Sequence, residues 1–194
     1  MKSAIIILAA GASIRLGKPK QLLLYKGKSL VQHVVTEAKN SRADEVVVIL
    51  GANHDLIANE IPADKKIKFI VNDQWEDGMA SSIKAGIIFV TKEVSPDFAI
   101  LAVCDQPFID SALFNKLIDT HLRTNKPIVA SQYQHTLGTP VLFDKQFFNE
   151  LVSLNGDHGA RSIILKHPTR LTTIPFPSGH IDIDTNEQYK ELLA

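Results

Sequence analysis

Apolar residues recur along this chain in two rhythms, and the switch between them marks the elements. Ala4-Ile5-Ile6-Ile7-Leu8 is an unbroken, largely β-branched run, the pattern of a strand buried on both faces of a parallel sheet. Residues 45–50 repeat it and stop at Gly51, and residues 68–71, 99–104, 127–131 and 171–174 are further strand candidates. Helical spacing fills the intervals. Ser29 with Gln32 three residues on predicts a capped start for a helix to about Asn40, burying Leu30, Val31, Val34, Val35 and Ala38. A short helix is expected after Asn53, and the turn from Trp75 leads into one reaching about Val90. Asp110 caps a helix through about Leu122, and Asp144 opens one through Leu154. The Gly-rich turn at 155–159 precedes a helix over 160–166, and Thr185 with Gln188 caps the last one.

Strands alternating with helices imply a three-layer α/β/α architecture with a mostly parallel central sheet. In such sheets ligands bind beyond the carboxyl ends of the strands, where the strand order reverses. Residues 11–20, 72–82 and 105–107 all follow predicted strand ends, so they are expected to share one rim.

Composition narrows the classes. The 194 residues suit a single domain over 1–194 with a sizeable core. Lys+Arg and Asp+Glu both count 21, which argues against a dedicated nucleic-acid binder or a membrane-surface protein. The apolar residues 4–10 are too few to span a membrane, and no convincing signal-cleavage region follows them. A lone cysteine, Cys104, forms no intrachain disulfide and fits a reducing compartment, so a cytoplasmic location is expected. The seven histidines show no zinc-binding spacing.

Chemistry concentrates in the loop after the first strand. Gly11 and Gly17 let the backbone turn and approach a ligand, while Arg15, Lys18 and Lys20 supply cations. Free backbone N–H groups plus cations suit a polyphosphate. Two familiar glycine motifs are excluded: five residues separate the glycines where a P-loop has four, and no G-x-G-x-x-G is present. Asp105 follows a strand of apolar and small residues, so its carboxylate must be solvated, paired or metal-bound. It reads either as a turn residue before Gln106-Pro107 or as a magnesium ligand. Asp182 and Asp184 are expected to alternate on one strand face, Asp184 otherwise being a helix-start acid favoured by the dipole. Ser81 and Ser82 stand at a helix start, where one serine could serve as a simple cap.

The loop string G-x-x-x-R-x-G-x-x-K, matched by Gly11, Arg15, Gly17 and Lys20, resembles the signature of nucleotidyltransferases with a GT-A-like fold. Its longer form, LAAG-x-S-x-R-x-G-x-PKQLL, is most similar to the molybdenum cofactor cytidylyltransferases of the MobA-like NTP transferase family. Asp105-Gln106-Pro107 resembles that family's D-Q-P metal motif, and residues 182–185 its D-I-D-T string, with Asn186 where proline is usual. The segments 78–82, 138–143 and 156–161 resemble its G-M-x-S-S, G-x-P-x-x-F and G-D-x-G-A-R, the last two expected on the acceptor side.

The resemblance implies a nucleotide-diphospho-sugar transferase (GT-A-like, Rossmann-type) fold. It also implies transfer of CMP from CTP to the phosphate of molybdopterin or the molybdenum cofactor, with release of pyrophosphate. Arg15, Lys20 and Asp105 carry the catalytic roles, and Asp105 and Asp184 hold Mg²⁺, with Asp182 a weaker candidate. Leu8, Ala9, Ala10, Gly11, Lys20, Asn72, Gly78, Ser81 and Ser82 are carried over as nucleotide-binding positions. Ala10, in Leu-Ala-Ala-Gly rather than Leu-Ala-Gly-Gly, resembles the cytidylyl branch and would narrow the base pocket. The implied partners are CTP, molybdopterin or a similar phosphorylated acceptor, and a recipient molybdoenzyme, with neither nucleic acid nor membrane. The rival readings are guanylyl transfer from GTP, activation of another phosphorylated metabolite, and a non-catalytic carrier of the cofactor.

Overall fold

A computed structural model describes all 194 residues. Seven strands form the central sheet: β1 (Ser3–Ala9), β4 (Glu45–Leu50), β5 (Ile67–Val71), β6 (Phe98–Val103), β7 (Ile128–Tyr133), β8 (Thr136–Asp144) and β9 (Leu171–Pro175). Two short strands, β2 (Leu24–Tyr25) and β3 (Lys28–Ser29), make a separate antiparallel pair. The order in the large sheet is β5-β4-β1-β6-β8-β7-β9. Strands β4, β1 and β6 run parallel side by side, and β5 and β9 also pair in parallel. Only β8 runs against both its neighbours, so the sheet is mostly parallel.

The β-branched run of β1 divides its side chains between two cores. Ile5, Ile7 and Ala9 face α1 (Leu30–Asn40), α2 (His54–Asn59) and α4 (Ser111–Thr124). Ala4, Ile6 and Leu8 face α3 (Met79–Phe89), α5 (Phe148–Val152) and α6 (Arg161–Lys166). A strand with apolar residues on both faces can be buried only between two such layers. The last helix, α7 (Asn186–Leu193), packs outside them against the loop after β1, through a small cluster of Leu16, Leu23, Leu30 and Ile183. No helix is long and apolar enough to cross a membrane.

Capping follows the sequence closely. Ser29 Oγ accepts from the Gln32 N–H at 3.3 Å, Asp110 Oδ1 accepts from the Leu113 N–H at 2.7 Å, and Thr185 with Gln188 closes a reciprocal capping box. Helix α1 buries the five apolar residues predicted for it.

Gly138 and Pro140 lie inside β8, where it pairs with β7 but not with β6 and the register shifts at Ala130/Ser131, an edge position that tolerates both. Three expectations are corrected. Asp182 and Asp184 do not lie on a strand, because a 3₁₀ turn (Pro177–His180) and irregular backbone carry the chain from β9 to α7. The helix expected from Asp144 is a 3₁₀ turn (Lys145–Phe147) followed by the short α5. Lys18 turns away from the loop's concave side and lies over the Tyr189 ring of α7, 5.4 Å from its centroid.

Candidate active site

The strand order reverses between β1 and β6: the chain leaves β1 for β4 on one side and returns with β6 on the other. Beyond the carboxyl ends of these strands lies a cavity of about 760 Å³, a size that suits a small-molecule ligand. Its walls come from the loop after β1 (Leu8 to Arg15, with Lys20 and Gln21), the start of α3 (Trp75, Glu76, Gly78, Met79, Ser82), and the end of β6 (Val103, Cys104, Asp105). Asp157 and Asp184 close the rim. The three segments expected to share one rim therefore do so, and Asp184 joins them from the far end of the sequence.

Lys20 is the centre of the charges. Its Nζ donates to Asp105 Oδ2 in a short contact and to Asp184 Oδ1 at 2.8 Å. Arg15 donates from a terminal guanidinium nitrogen to Asp184 Oδ2 at 2.6 Å, from the open mouth of the cavity. Two cations and two carboxylates thus form one chain with no net charge. Burial by itself would lower the Lys20 pKa, but the Asp105 and Asp184 carboxylates hold it well above its ordinary value. Partial burial opposes ionisation of Asp184, yet Lys20 and then Arg15 keep its carboxyl below the usual range. Asp182 goes the other way: burial and the nearby charges of Asp105 and Asp184 raise it. The Cys104 thiol, beneath Asp105, is pushed up to about 12 by burial and by that carboxylate.

Asp105 and Asp184 present oxygens to one ammonium, so the pair already accommodates a cation between them. Hard divalent cations take oxygen donors, and magnesium asks for one or two carboxylates completed by phosphate oxygens and water. The donor set fits that requirement when a triphosphate lies in the cavity.

The loop is shaped by a residue the sequence reading left without a role. Gln21 is 1% exposed, and its Nε2 donates to the Ala9 carbonyl at 2.9 Å and the Gly11 carbonyl at 2.8 Å. Holding those two carbonyls on the inner side fixes the path of the backbone past Ala10. Ser13, in the left-handed region at φ 58°, accepts from the Lys20 N–H at 3.0 Å and so sets the base of the Lys20 side chain. The signal for Gln21 is a glutamine directly after Lys20 and before an apolar run.

Across the cavity, Gly78 has φ +96° and lies so close to the 156–157 turn that a Cβ would come within 2.6 Å of the Gly156 carbonyl. Glycine there lets the start of α3 dock on that turn, where the Ala80 N–H donates to the Gly156 oxygen at 3.0 Å. Neither serine is the helix cap, which is Gly78 itself. Asn72 is buried behind the wall, its amide donating to Ser81 Oγ at 2.8 Å and Ser82 Oγ at 3.1 Å. Of these three, only Ser82 lines the cavity, so Asn72 and Ser81 stand behind it as supports. Leu8, Ala9, Ala10, Gly11 and Gly78 do line it, and Trp75, Glu76 and Asp157 are additions from the structure. Of the two segments assigned to the acceptor side, 138–143 contributes nothing to the cavity wall and 156–161 contributes Asp157 alone.

Residues 5–171 match the MobA-like NTP transferase domain. The nicotine blue oxidoreductase of Paenarthrobacter nicotinovorans is 30% identical, over 97% of this chain and 95% of its own. A probable molybdenum cofactor guanylyltransferase of Bacillus cytotoxicus is 26% identical, over 100% and 98%. Among solved structures, Rv0371c of Mycobacterium tuberculosis H37Rv, in complex with manganese, superposes with a TM-score of 0.80 at 25% identity, covering 100% of this chain and 98% of that one.

Proposed function

The chain belongs to the family of MobA-like NTP transferases, and on that premise we propose that it transfers CMP from CTP to the phosphate of molybdopterin or its molybdenum-loaded form. The observation that carries this reading is the convergence of Lys20 on Asp105 and Asp184 at the edge of a cavity framed by a glycine-bearing loop.

In the proposed reaction an oxygen of the acceptor phosphate attacks the α-phosphorus of the nucleotide. The bond from that phosphorus to the oxygen bridging the β-phosphate breaks, and pyrophosphate leaves with the electron pair. The nucleophile is already anionic, so no strong general base is required; alignment and charge neutralisation do the work. Residues 8–11 lay the backbone along the triphosphate, with Gly78 and Ser82 on the opposite wall. Lys20, kept protonated by its two carboxylates, moves onto the phosphates and stabilises charge developing on the α-phosphoryl and the departing pyrophosphate. Arg15, largely exposed at the mouth, does the same from outside. Asp105 and Asp184 would hold Mg²⁺, which when bound neutralises phosphate oxygens as a Lewis acid. A recipient molybdoenzyme would take the product. The manganese complex of Rv0371c supports a divalent ion in a protein of this fold.

CTP is preferred in this reading because Ala10, 6% exposed, stands in the cavity wall with a methyl group where glycine would leave room. The guanylyltransferase name of the Bacillus cytotoxicus relative favours a second reading, with GTP as donor. A turnover panel of the four nucleoside triphosphates with purified molybdopterin and Mg²⁺, read by pyrophosphate release, decides between them. The expected order places CTP first. GTP first would transfer the assignment to the second reading. Cofactor binding without turnover or pyrophosphate exchange on any nucleotide would make the protein a carrier.

A further inference from the structure

Asp105 and Asp184 come from opposite parts of the chain, and what holds them in register is not obvious from either residue. The stretch that delivers Asp184 leaves β9 and passes through the 3₁₀ turn Pro177–His180. It then has no regular structure until the Thr185 cap of α7. Two hydrogen bonds tie it to the loop after β6. The Ile183 N–H donates to the Asp105 carbonyl at 3.1 Å, next to Asp184. Gln106 Nε2 donates to the Gly179 carbonyl at 2.7 Å, at the other end of the stretch.

Gln106 is 4% exposed, and both ends of its amide are bonded, its Oε1 accepting from Thr139 Oγ1 at 3.2 Å. The approach of the Gly179 carbonyl depends on the glycine. A Cβ there would lie 2.5 Å from Phe176 Cδ1 and would also strike the Tyr133 ring. A buried amide on the residue directly after Asp105 thus anchors the turn at Gly179 from which the chain runs on to Asp184, while the Ile183 bond fixes the other end of that run.

We propose that Gln106 is a positioning residue that fixes the placement of Asp184 relative to Asp105, and through it the affinity of the pair for a divalent cation. This rests on the two-aspartate cation reading above. Asparagine is a methylene too short to reach Gly179. Glutamate keeps the length but, ionised, offers no donor and sets a carboxylate against a carbonyl oxygen. Losing the bond leaves a buried carbonyl unsatisfied, and the irregular stretch relaxes to satisfy it elsewhere. Groups that orient metal ligands from behind typically change metal affinity by about 10- to 100-fold when removed.

The test is Mn²⁺ titration of the nucleotide-free protein followed by electron paramagnetic resonance, with folding of each variant checked by thermal melting. Gln106→Ala and Gln106→Glu are expected to weaken Mn²⁺ binding by about tenfold or more. Thr139→Val cuts the other bond of the same amide, which does not reach the Asp184 stretch, and should bind Mn²⁺ nearly as the parent does. Gly179→Ala displaces the stretch from the opposite side and decides the matter if the Gln106 variants do not fold; it too should weaken binding. Parent-like Mn²⁺ affinity in the Gln106 variants, or in Gly179→Ala where that one decides, overturns the proposal if Asp105→Asn and Asp184→Asn lose binding. Parent-like affinity in the two aspartate variants overturns the two-aspartate reading itself, and the role of Gln106 with it.

Discussion

The Lys20 ammonium lies 2.8 Å from Asp184 Oδ1, although 164 residues separate the two in sequence. The same nitrogen is bonded to Asp105, so it occupies the place between two carboxylates that a divalent cation would need. Lys20→Met therefore has two opposite expected effects. Turnover should fall by about two orders of magnitude, since removing one donor to transition-state charge costs about 3 kcal/mol. Mn²⁺ affinity of the nucleotide-free protein should rise, because the competing cation is gone. Steady-state kinetics and a metal titration on the same preparation check both. Near-normal turnover would remove Lys20 from the chemistry.

Ala10→Gly tests the base preference. A methyl-sized change in a pocket is worth roughly 1–3 kcal/mol, or about 10- to 200-fold. The ratio of kcat/KM for CTP to that for GTP should exceed one in the parent and shrink in the variant. Parallel initial rates with both nucleotides measure it. A ratio that does not move would show that the Ala10 methyl is not what the base meets.

Gln21→Ala frees the Ala9 and Gly11 carbonyls that the side chain now holds. Leaving the buried Ala9 carbonyl without this partner costs about 1–3 kcal/mol, so denaturant midpoints should fall accordingly. The nucleotide KM should rise more than kcat falls, because in the proposed reaction the loop would bind the triphosphate in the ground state as well. Equal loss in both constants, without loss of stability, would argue against a loop-shaping role.

Cys104 offers a pH test. Its thiol, 3% exposed, has a folded pKa pushed up to about 12, while an unfolded cysteine titrates near 8.5. Between those values the folded chain binds the proton that the unfolded chain has lost, so stability falls as pH rises through this window. Melting temperatures from pH 8.5 to 10 should decline, and Cys104→Ala should flatten the decline. At pH 8 a thiol reagent should label the native protein slowly and the unfolded protein fast. Rapid labelling of the native protein would contradict the burial on which this rests.

What the sequence disclosed, and what it withheld, divides along a physical line. The β-branched runs of β1 and β4, the Ser29, Asp110 and Thr185 caps, and the shared rim were legible because each depends on residues adjacent in sequence or on the polarity of a parallel sheet. Strand β8 carries Gly138 and Pro140, residues that usually interrupt strands, and tolerates them where it pairs with β7 alone beside a register shift. Asp182 and Asp184 look alternately placed, yet no neighbouring strand exists for them to join. The side-chain amides of Asn72, Gln21 and Gln106 donate to groups 9 to 73 residues away, so nothing local separates a ligand contact from a buried support. The Lys20 ion pairs belong to the same class: a shared rim for Lys20 and Asp105 follows from strand polarity and a common site with Asp184 from the resemblance, but the direct bonds among them do not.

That meeting also orders events at the ribosome. The loop from Leu8 to Gln21 is made before Asp105, and Asp184 only after the last strand of the sheet has been translated. Because a chain emerges amino-terminus first, a growing polypeptide can display the phosphate-facing loop long before it owns the second carboxylate. A nascent chain at that stage would hold one of the two carboxylates that meet Lys20, and the cluster would be complete only once Asp184 has emerged.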